Sequence, residues 1–161
     1  MRIIFLWVGK TKNSCIRALV SDYFERIRKL IPCDIIETRD PGRVRNLDVN
    51  RLIEAEAEEL KRHLPERGCI VALDEKGIQH TSADFARWLE SEQYRGVPSV
   101  CFVVGGPEGL SPMISGKANI ILSLGRMTWT HEMCRVLIME QVYRALCITG
   151  RIPYHKTGNR P

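Results

Sequence analysis

The sequence lacks the paired cysteines that mark disulfide-rich proteins and zinc proteins. Its cysteines are scattered without any C-x-x-C pair, and most of them lie inside apolar runs. A cysteine in that setting is typical of a small buried hydrophobic residue, so neither a disulfide framework nor a metal site is expected. The cysteines are Cys15, Cys33, Cys69, Cys101, Cys134 and Cys147.

Long hydrophobic runs are also missing. The apolar run near the start, Ile3 to Val8, is far too short for a signal peptide or a transmembrane helix. No low-complexity tract, internal repeat or long linker interrupts the chain. We therefore expect a reduced, cytoplasmic protein with no membrane partner.

What is present fits one globular domain covering residues 1–161. The 161 residues are 44% hydrophobic and 27% charged, which is enough to build a real core. Lys and Arg total 24 against 19 Asp and Glu, a net charge of +5 that suits either a polyanionic partner such as nucleic acid or a merely basic protein. Clustering of the basic residues on one surface would favour the polyanionic partner over a merely basic protein. The candidate basic surface comprises Arg26, Arg28, Lys29, Arg39, Arg43 and Arg45.

Apolar runs alternate with segments of helical periodicity. The runs predict strands over residues 3–8, 33–37, 69–74, 99–104 and 119–124, with a turn at Glu75–Gly77. Helices are predicted from Ile16 to Leu30, with Leu19 on the apolar side, from 48 to 63, from a cap at Ser82, and from His131 onward. This order predicts an α/β fold, a single three-layer domain with a mostly parallel sheet.

Two loops follow buried strands near the end of the chain. Gly105-Gly-Pro-Glu-Gly109 matches neither a P-loop nor G-x-G-x-x-G, so a phosphate cradle is disfavoured. Its glycines either let a ligand approach the main chain at a strand end or simply make a tight turn. Glu108 is either a helix-start anion or an acid facing a cationic ligand. The second loop runs from Leu124 to His131.

The helix after this second loop carries titratable groups at its start. His131 is expected to be neutral near the helix N-terminus, as a hydrogen-bonding ring or as a capping or packing residue. Arg135, one turn on, contacts either a phosphate or a carboxylate such as Glu132. The helix is apolar on more than one face, which favours packing against a partner subunit over a central position in the core. Glu140 and Arg144 are spaced as an ion pair.

The chain ends in a polar tail. Tyr154, His155 and Lys156 combine a stacking ring, a titratable ring and a cation, a set that can hold an RNA base and its phosphate. The alternative is a frayed tail without a role. The segment Pro153–Lys156 is expected to close over the two loops.

In combination, these segments resemble one known family. They are Val-Gly-Lys after the first strand, Leu73-Asp74, Gly-Gly-Pro-Glu-Gly, Met-Thr-x-x-His, Arg-Val-Leu-x-x-Glu-Gln-Val-Tyr-Arg-Ala and Pro-Tyr-His-Lys. From Met1 to Lys156 the chain resembles the ribosomal RNA large subunit methyltransferase H family. The resemblance implies a SPOUT-like fold with a C-terminal trefoil knot, a homodimer, and S-adenosylmethionine as methyl donor. It also implies methylation of N3 of a pseudouridine in 23S, large-subunit ribosomal RNA on the ribosome.

The resemblance also implies the site residues. Cofactor contacts would fall on Leu73, Gly105, Leu124, Gly125, Arg126, Met127, Thr128 and Trp129. The attacking nitrogen must lose a proton, so the catalytic candidates are groups that accept it or favour the anion, with no metal required. These candidates are His131, Arg135, Tyr154 and His155, and the proton acceptor among them is left open. Tyr154 and His155 are expected to reach the cofactor site of the other subunit.

Two departures from the family and two rival functions complete the expectations. Thr130 stands where the family usually has proline, which predicts a less rigid loop, and Thr157–Pro161 extends past the usual end. A noncatalytic ribosome-binding or assembly protein would bind RNA without cofactor affinity. A flavodoxin-like small-molecule binder would have no RNA role, and its ligand affinity would survive neutralisation of Arg135 and Lys156.

Overall fold

The strand-forming runs predicted from the sequence come together in one sheet. The computed structural model describes residues 1–43 and 48–154, so the expectations for Arg45, His155, Lys156 and the final segment lie outside the described residues, as does the side chain of Arg43. The strands are β1 (Arg2–Trp7), β2 (Cys33–Glu37), β3 (Cys69–Gln79), β4 (Ser99–Val104) and β5 (Ile120–Ser123). The pairings between these five strands are parallel, in the order β2-β1-β4-β3-β5, which confirms the α/β class.

Helices cover both faces of this sheet. They are α1 (Ser14–Ile27), α2 (Val49–Lys61), α3 (Ser82–Tyr94), α4 (Pro112–Ser115) and α5 (His131–Thr149), with a 3₁₀ turn at Pro41–Arg43. The larger core cluster lies between the sheet and α1, α3 and α5, where Phe5 stacks on Phe102 at 5.7 Å. A smaller cluster joins the opposite face to α2 and α4. The three-layer prediction is therefore confirmed for the described residues, whereas the C-terminal knot stays a prediction.

Each helix begins at a polar side chain that accepts a main-chain hydrogen bond. The caps are Asn13, Asp48, Thr81, Ser111 and Thr130. The predicted cap at Ser82 is wrong by one residue, because the Thr81 hydroxyl accepts from Asp84 N at 3.1 Å. Ser82 is instead the first helical residue, and its hydroxyl donates to Gln141 on α5.

The predicted apolar face of α1 is too wide. Val20 and Ile27 are buried, but Leu19 is 45% exposed and Leu30 is 41% exposed. The helix ends at Ile27, so Leu30 follows it in a turn. Leu19 is next to the inward-facing Val20 and points to the outer side, because successive helical residues lie about 100° apart.

Strand β3 continues through the segment predicted to be a turn. Asp74 Oδ1 does accept from Lys76 N at 2.8 Å, the local bond expected of a turn. Yet Leu73 and Ile78 both pair with Leu122, so the intervening residues bulge out and the ladder with β5 then resumes. The turn chemistry was right, and the expected end of the strand was wrong because pairing with β5 extends it.

Helix α5 is a central helix of this chain. It packs between α1 and α3, and every one of its 19 residues is at least partly buried. Val136, Ile138 and Val142 enter the main core cluster. The alternative of a central core helix is therefore confirmed, whereas packing against a partner subunit stays a prediction. The Glu140–Arg144 ion pair is confirmed, with Arg144 Nε 2.9 Å from Glu140 Oε1.

Candidate active site

A cavity of about 730 Å³ opens at the carboxyl ends of three neighbouring strands. Strand β4 leads into the glycine loop, β5 leads into the second loop, and β3 contributes its bulge. The carboxyl edge of a parallel sheet is where ligands bind in open α/β folds. The cavity is lined by residues 73–76, 104–109, Leu122, Leu124, Gly125, residues 127–131 and Cys134.

Most of the expected cofactor contacts share this cavity. Leu73, Gly105, Leu124, Gly125, Met127, Thr128 and Trp129 line it. Arg126 is exposed and is not among the lining residues. The structure thus brings together positions far apart in the chain, and their role toward a cofactor stays a prediction.

The glycine loop is closed by its own main chain. Gly109 N donates to Gly106 O at 3.1 Å, so the tight-turn interpretation is correct. A Cβ added to Gly105 would lie 2.5 Å from Gly109 O, which leaves no room for any side chain there. Gly105 is therefore required by the turn itself, not only by the approach of a ligand. Glu108 is exposed on the cavity rim, and α4 is capped by Ser111 instead.

The second loop is held at both ends by side chains. Ser123 Oγ donates to Gly125 O at 2.8 Å, directly after β5. Thr128 Oγ1 donates to Glu75 Oε2 at 2.5 Å, which joins this loop to the β3 bulge. Thr130, where the family usually has proline, accepts from Met133 N at 3.3 Å and caps α5. Thr130 thus fixes the end of the loop by capping the helix, whereas the proline of the family would restrict the backbone.

His131 lies at the cavity as the first residue of α5. Burial of its ring and the nearby Arg135 guanidinium lower the pKa of His131, while Glu132 opposes that shift. The imidazole is therefore neutral at pH 7, as expected from the sequence, although burial is the largest cause. A neutral ring has one nitrogen that can accept a proton.

Arg135 points away from the cavity. It is 1% exposed, and it donates to Val8 O at 2.6 Å and to Thr11 Oγ1 at 2.8 Å. Its guanidinium also lies 5.1 Å from the centroid of the Trp7 ring. The expected contact with Glu132 is not made, because Glu132 accepts from Lys12 N at 2.5 Å instead. Arg135 joins α5 to the segment after β1, and a direct catalytic contact stays a prediction.

Tyr154 folds back against the middle of α5. Its hydroxyl lies 3.4 Å from Tyr23 Oη and 3.2 Å from Glu140 Oε1, and its ring meets Tyr143 edge-on. Burial, Tyr23 and Glu140 raise the pKa of Tyr154. Tyr154 is not among the residues that line the cavity. The expectation that the tail closes over the loops of its own chain is therefore wrong for Tyr154.

The basic surface expected on α1 is largely neutralised. Arg26 pairs with Asp22 at 2.8 Å, and Arg28 pairs with Glu25 at 2.8 Å. Exposed ion pairs of this kind are weak, so both cations can still exchange partners. Near the cavity, Lys76 lies in the lining and Arg126 is exposed beside it. These two are better placed to meet a polyanion at the site.

Sequence reasoning missed several groups that shape the site. Glu75 holds the second loop, Cys134 lines the cavity, and Glu56 lies buried behind the glycine loop. The sequence predicts Glu75 as part of a turn, and its position after a buried strand is the signal that could have placed it at the site. Glu56 sits in a run of charged residues on α2, where the sequence marks none of them as buried.

Comparison with known proteins identifies the family. The family described as "Predicted SPOUT methyltransferase" matches residues 1–155. A ribosomal RNA large subunit methyltransferase H from Geotalea daltonii is 38% identical over 155 residues, covering 96% of this chain and 99% of that protein. The protein of that name from Gemmatimonas aurantiaca is 41% identical over 157 residues, covering 97% and 100%. The chain belongs to this methyltransferase H family.

Solved structures agree at the level of the fold. A crystal structure of a probable methyltransferase from Bordetella pertussis Tohama I aligns with a TM-score of 0.56 at 13% identity, covering 90% of this chain and 96% of that one. As a member of the methyltransferase H family, the chain is a SPOUT methyltransferase. Among the helices in the described part of the chain, none is long and apolar enough to cross a membrane.

Proposed function

We propose that this methyltransferase transfers a methyl group from S-adenosylmethionine to N3 of a pseudouridine in large-subunit ribosomal RNA. It acts on the ribosome, as a homodimer in the cytoplasm. The observation that carries the proposal is the cavity at the ends of β3, β4 and β5, lined by most of the expected cofactor contacts. The names of the relatives support large-subunit ribosomal RNA as the substrate.

The residues present suit a cofactor of this chemistry. The volume of about 730 Å³ falls within the ~300–1,000 Å³ typical of small-molecule sites. Leu73, Leu122 and Leu124 offer apolar walls for an adenine, and bare main chain at Gly105 offers hydrogen-bonding groups. The carboxylates of Asp74, Glu75 and Glu108 lie in the lining and favour a cationic ligand. When bound, S-adenosylmethionine supplies an electrophilic methyl group on a positively charged sulfur.

The work of the chain is to align the reacting atoms, exclude water and accept one proton. The imide nitrogen N3 becomes nucleophilic when it loses its proton. Among the described candidates, His131 lines the cavity, and the lowered pKa of its ring leaves a nitrogen free to accept that proton. Tyr154 is a poorer acceptor because its raised pKa keeps the phenol protonated and because it is not among the residues that line the cavity.

The separation of Tyr154 from the cavity favours a site completed by a partner. Tyr154 packs on Tyr23, Glu140 and Tyr143 of its own chain. Tyr154 does not line the cavity of its own chain, which supports the proposal that Tyr154 and His155 act at the cavity of a second copy. This is the physical reason to propose a homodimer as the active form.

A mixing experiment tests the tail in trans. His155→Ala alone is expected to leave S-adenosylmethionine affinity unchanged and to lower methylation at least about tenfold. Gly105→Val is expected to abolish cofactor binding. When the two inactive dimers are mixed and allowed to exchange subunits, each hybrid has one intact cavity facing one intact tail, so methylation of ribosomes should return. A tail acting on its own subunit would give no recovery.

Calorimetric titration of the purified protein with S-adenosylmethionine is the direct test of the proposal. Saturable binding, followed by methyl transfer to ribosomes but not to ribosomes already modified at the target, is the expected result. Binding of ribosomes without cofactor affinity or methyl transfer would favour a noncatalytic assembly role. Cofactor affinity without any ribosome dependence would exclude the proposed substrate.

A further inference from the structure

Two strand ends beside the cavity are followed by exposed cations. Trp7 at the end of β1 pairs with Val104 at the end of β4 and with Glu37 at the end of β2. Since neighbouring strands lie ~5 Å apart, the loops after β1 and β2 begin ~5 Å and ~10 Å from Val104, which lines the cavity. The first loop carries Lys10 and the second carries Arg39, and both residues are exposed.

Neither cation is neutralised within the protein. Among the residues that the structure describes, the side chains of Lys10 and Arg39 make no ion pair and no hydrogen bond. The carboxylates at this edge of the sheet accept hydrogen bonds from other groups instead. They are Glu37, Asp40 and Glu132. Lys10 and Arg39 are therefore available to an anion from outside the chain.

The loop that carries Lys10 is held in place at its main chain. Arg135 donates at 2.6 Å to the carbonyl two residues before Lys10, and Glu132 accepts at 2.5 Å from the N–H two residues after it. Gly9 N donates to Thr38 O at 3.2 Å, which joins the loops after β1 and β2 to each other. Loops that are fixed before a ligand arrives lose little further freedom on binding.

The two sides of the site differ in charge. On the side formed by β3 and the glycine loop, three carboxylates outnumber one lysine, which favours a cationic cofactor there. These residues are Asp74, Glu75, Lys76 and Glu108. His131 lines the cavity, and the carboxylate of the next residue along α5 holds the N–H of Lys12. The proposed proton acceptor thus lies where α5 meets the loop after β1, on the side of the unpaired cations.

We infer that Lys10 and Arg39 bind the phosphate backbone of the ribosomal RNA next to the target nucleotide, so that its base is held at the cavity. This inference rests on the proposed function, because it takes that RNA as the substrate. Arginine can bind two phosphate oxygens at once, and lysine acts as a compact point charge. Phosphate contacts of this kind set affinity and orientation without reading the base.

The test compares the methylation of ribosomes by wild type, by the double variant Lys10→Gln/Arg39→Gln and by a control double variant, all of full length. The control, Lys29→Gln/Arg67→Gln, removes the same charges from the opposite edge of the sheet. Lys29 lies in the turn between α1 and β2, and Arg67 lies shortly before β3. Both are exposed, and neither side chain has a partner among the described residues.

The variant Lys10→Gln/Arg39→Gln should raise the KM for ribosomes about tenfold or more and keep kcat within about threefold of wild type. On a double-logarithmic plot, its ribosome affinity should fall less steeply with salt, by about one unit of slope for each lost phosphate contact. A merely structural role would not change this slope. Affinity for S-adenosylmethionine, measured by calorimetry, should stay unchanged. The control variant should match wild type in every measurement.

The exchanged pair Lys10→Arg/Arg39→Lys keeps both charges and should restore most of the ribosome affinity. Thermal unfolding checks that each variant folds, and if the double glutamine variant does not, Lys10→Gln alone decides with about half the change in slope.

The outcomes keep the two proposals apart. A wild-type KM and salt slope in Lys10→Gln/Arg39→Gln overturn the inference while the proposed function stands. An equal loss in the control variant also overturns it, because total charge would then suffice, and so does a loss of S-adenosylmethionine affinity in Lys10→Gln/Arg39→Gln. A wild-type protein that binds S-adenosylmethionine but methylates no ribosomes overturns the proposed function, and the inference falls with it.

Discussion

Gly105→Val is expected to abolish S-adenosylmethionine binding while leaving the sheet and the dimer intact. The added Cβ would lie 2.5 Å from Gly109 O and 2.7 Å from Gly109 C, both main-chain atoms that cannot rotate away. The loop must therefore move, and the wall formed by residues 104–109 is displaced. Strand β4 ends at Val104, before the substitution, so its pairing with β1 and β3 should persist.

The affinity loss should be on the order of 100-fold or more, equivalent to ~3 kcal/mol of binding free energy. Calorimetric titration measures it, with gel filtration and thermal unfolding as checks on assembly and fold. Pro112→Ala is the control, since Pro112 is exposed at the start of α4 and is not among the residues that line the cavity. Unchanged affinity in Gly105→Val would remove the glycine loop from the binding site.

Arg135→Ala is expected to lower the free energy of unfolding by about 3 kcal/mol. The substitution removes a guanidinium that is 1% exposed and leaves Val8 O and Thr11 Oγ1 without their donor. It also opens a space beside the Trp7 ring, which the guanidinium covers at 5.1 Å. Urea unfolding followed by fluorescence measures the change. Arg87→Ala is the control, because its exposed pair with Asp84 on α3 should be worth less than ~1 kcal/mol.

Arg135→Met tests whether the same residue also acts on the reaction. The methionine side chain keeps much of the volume of arginine but not its charge. In the native protein, Arg135 Nε has no hydrogen-bond partner among the described residues. A smaller loss of stability is expected, so the variant can be assayed while folded. If Arg135 is only structural, folded Arg135→Met should keep cofactor affinity and most of the methylation rate. Wild-type stability with lost activity would support the direct role predicted from the sequence.

Local patterns were enough to identify most elements of the fold. Continuous apolar runs such as Val100–Val104 become strands because both of their faces are covered by helices. Caps such as Asp48 and Ser111 mark helix starts because they satisfy main-chain donors within the first turn. These signals fail where a distant strand intervenes, as at Glu75–Gly77, where pairing with β5 carries β3 beyond its local turn.

The candidate site could be predicted only in part from the sequence. The glycine loop and the loop from Leu124 to His131 stand out by composition, and family resemblance supplied their expected ligand. The inward direction of Arg135 and the burial of Glu56 could not be predicted from the sequence, because both depend on which element packs against the helix that carries the residue. The position of Tyr154 likewise follows from contacts with Tyr23 on α1, a residue distant in the chain.

By itself, therefore, the sequence determined the α/β class, the charge balance and the two loops, since these depend on periodicity and residue type over short distances. Only the tertiary structure decided the strand order, the cavity shared by β3, β4 and β5, and the separation of Tyr154 from it. It also decided that the carboxyl group of Glu56 packs against Gly106. The reason is physical: side-chain direction and burial are set by contacts between segments far apart in the chain.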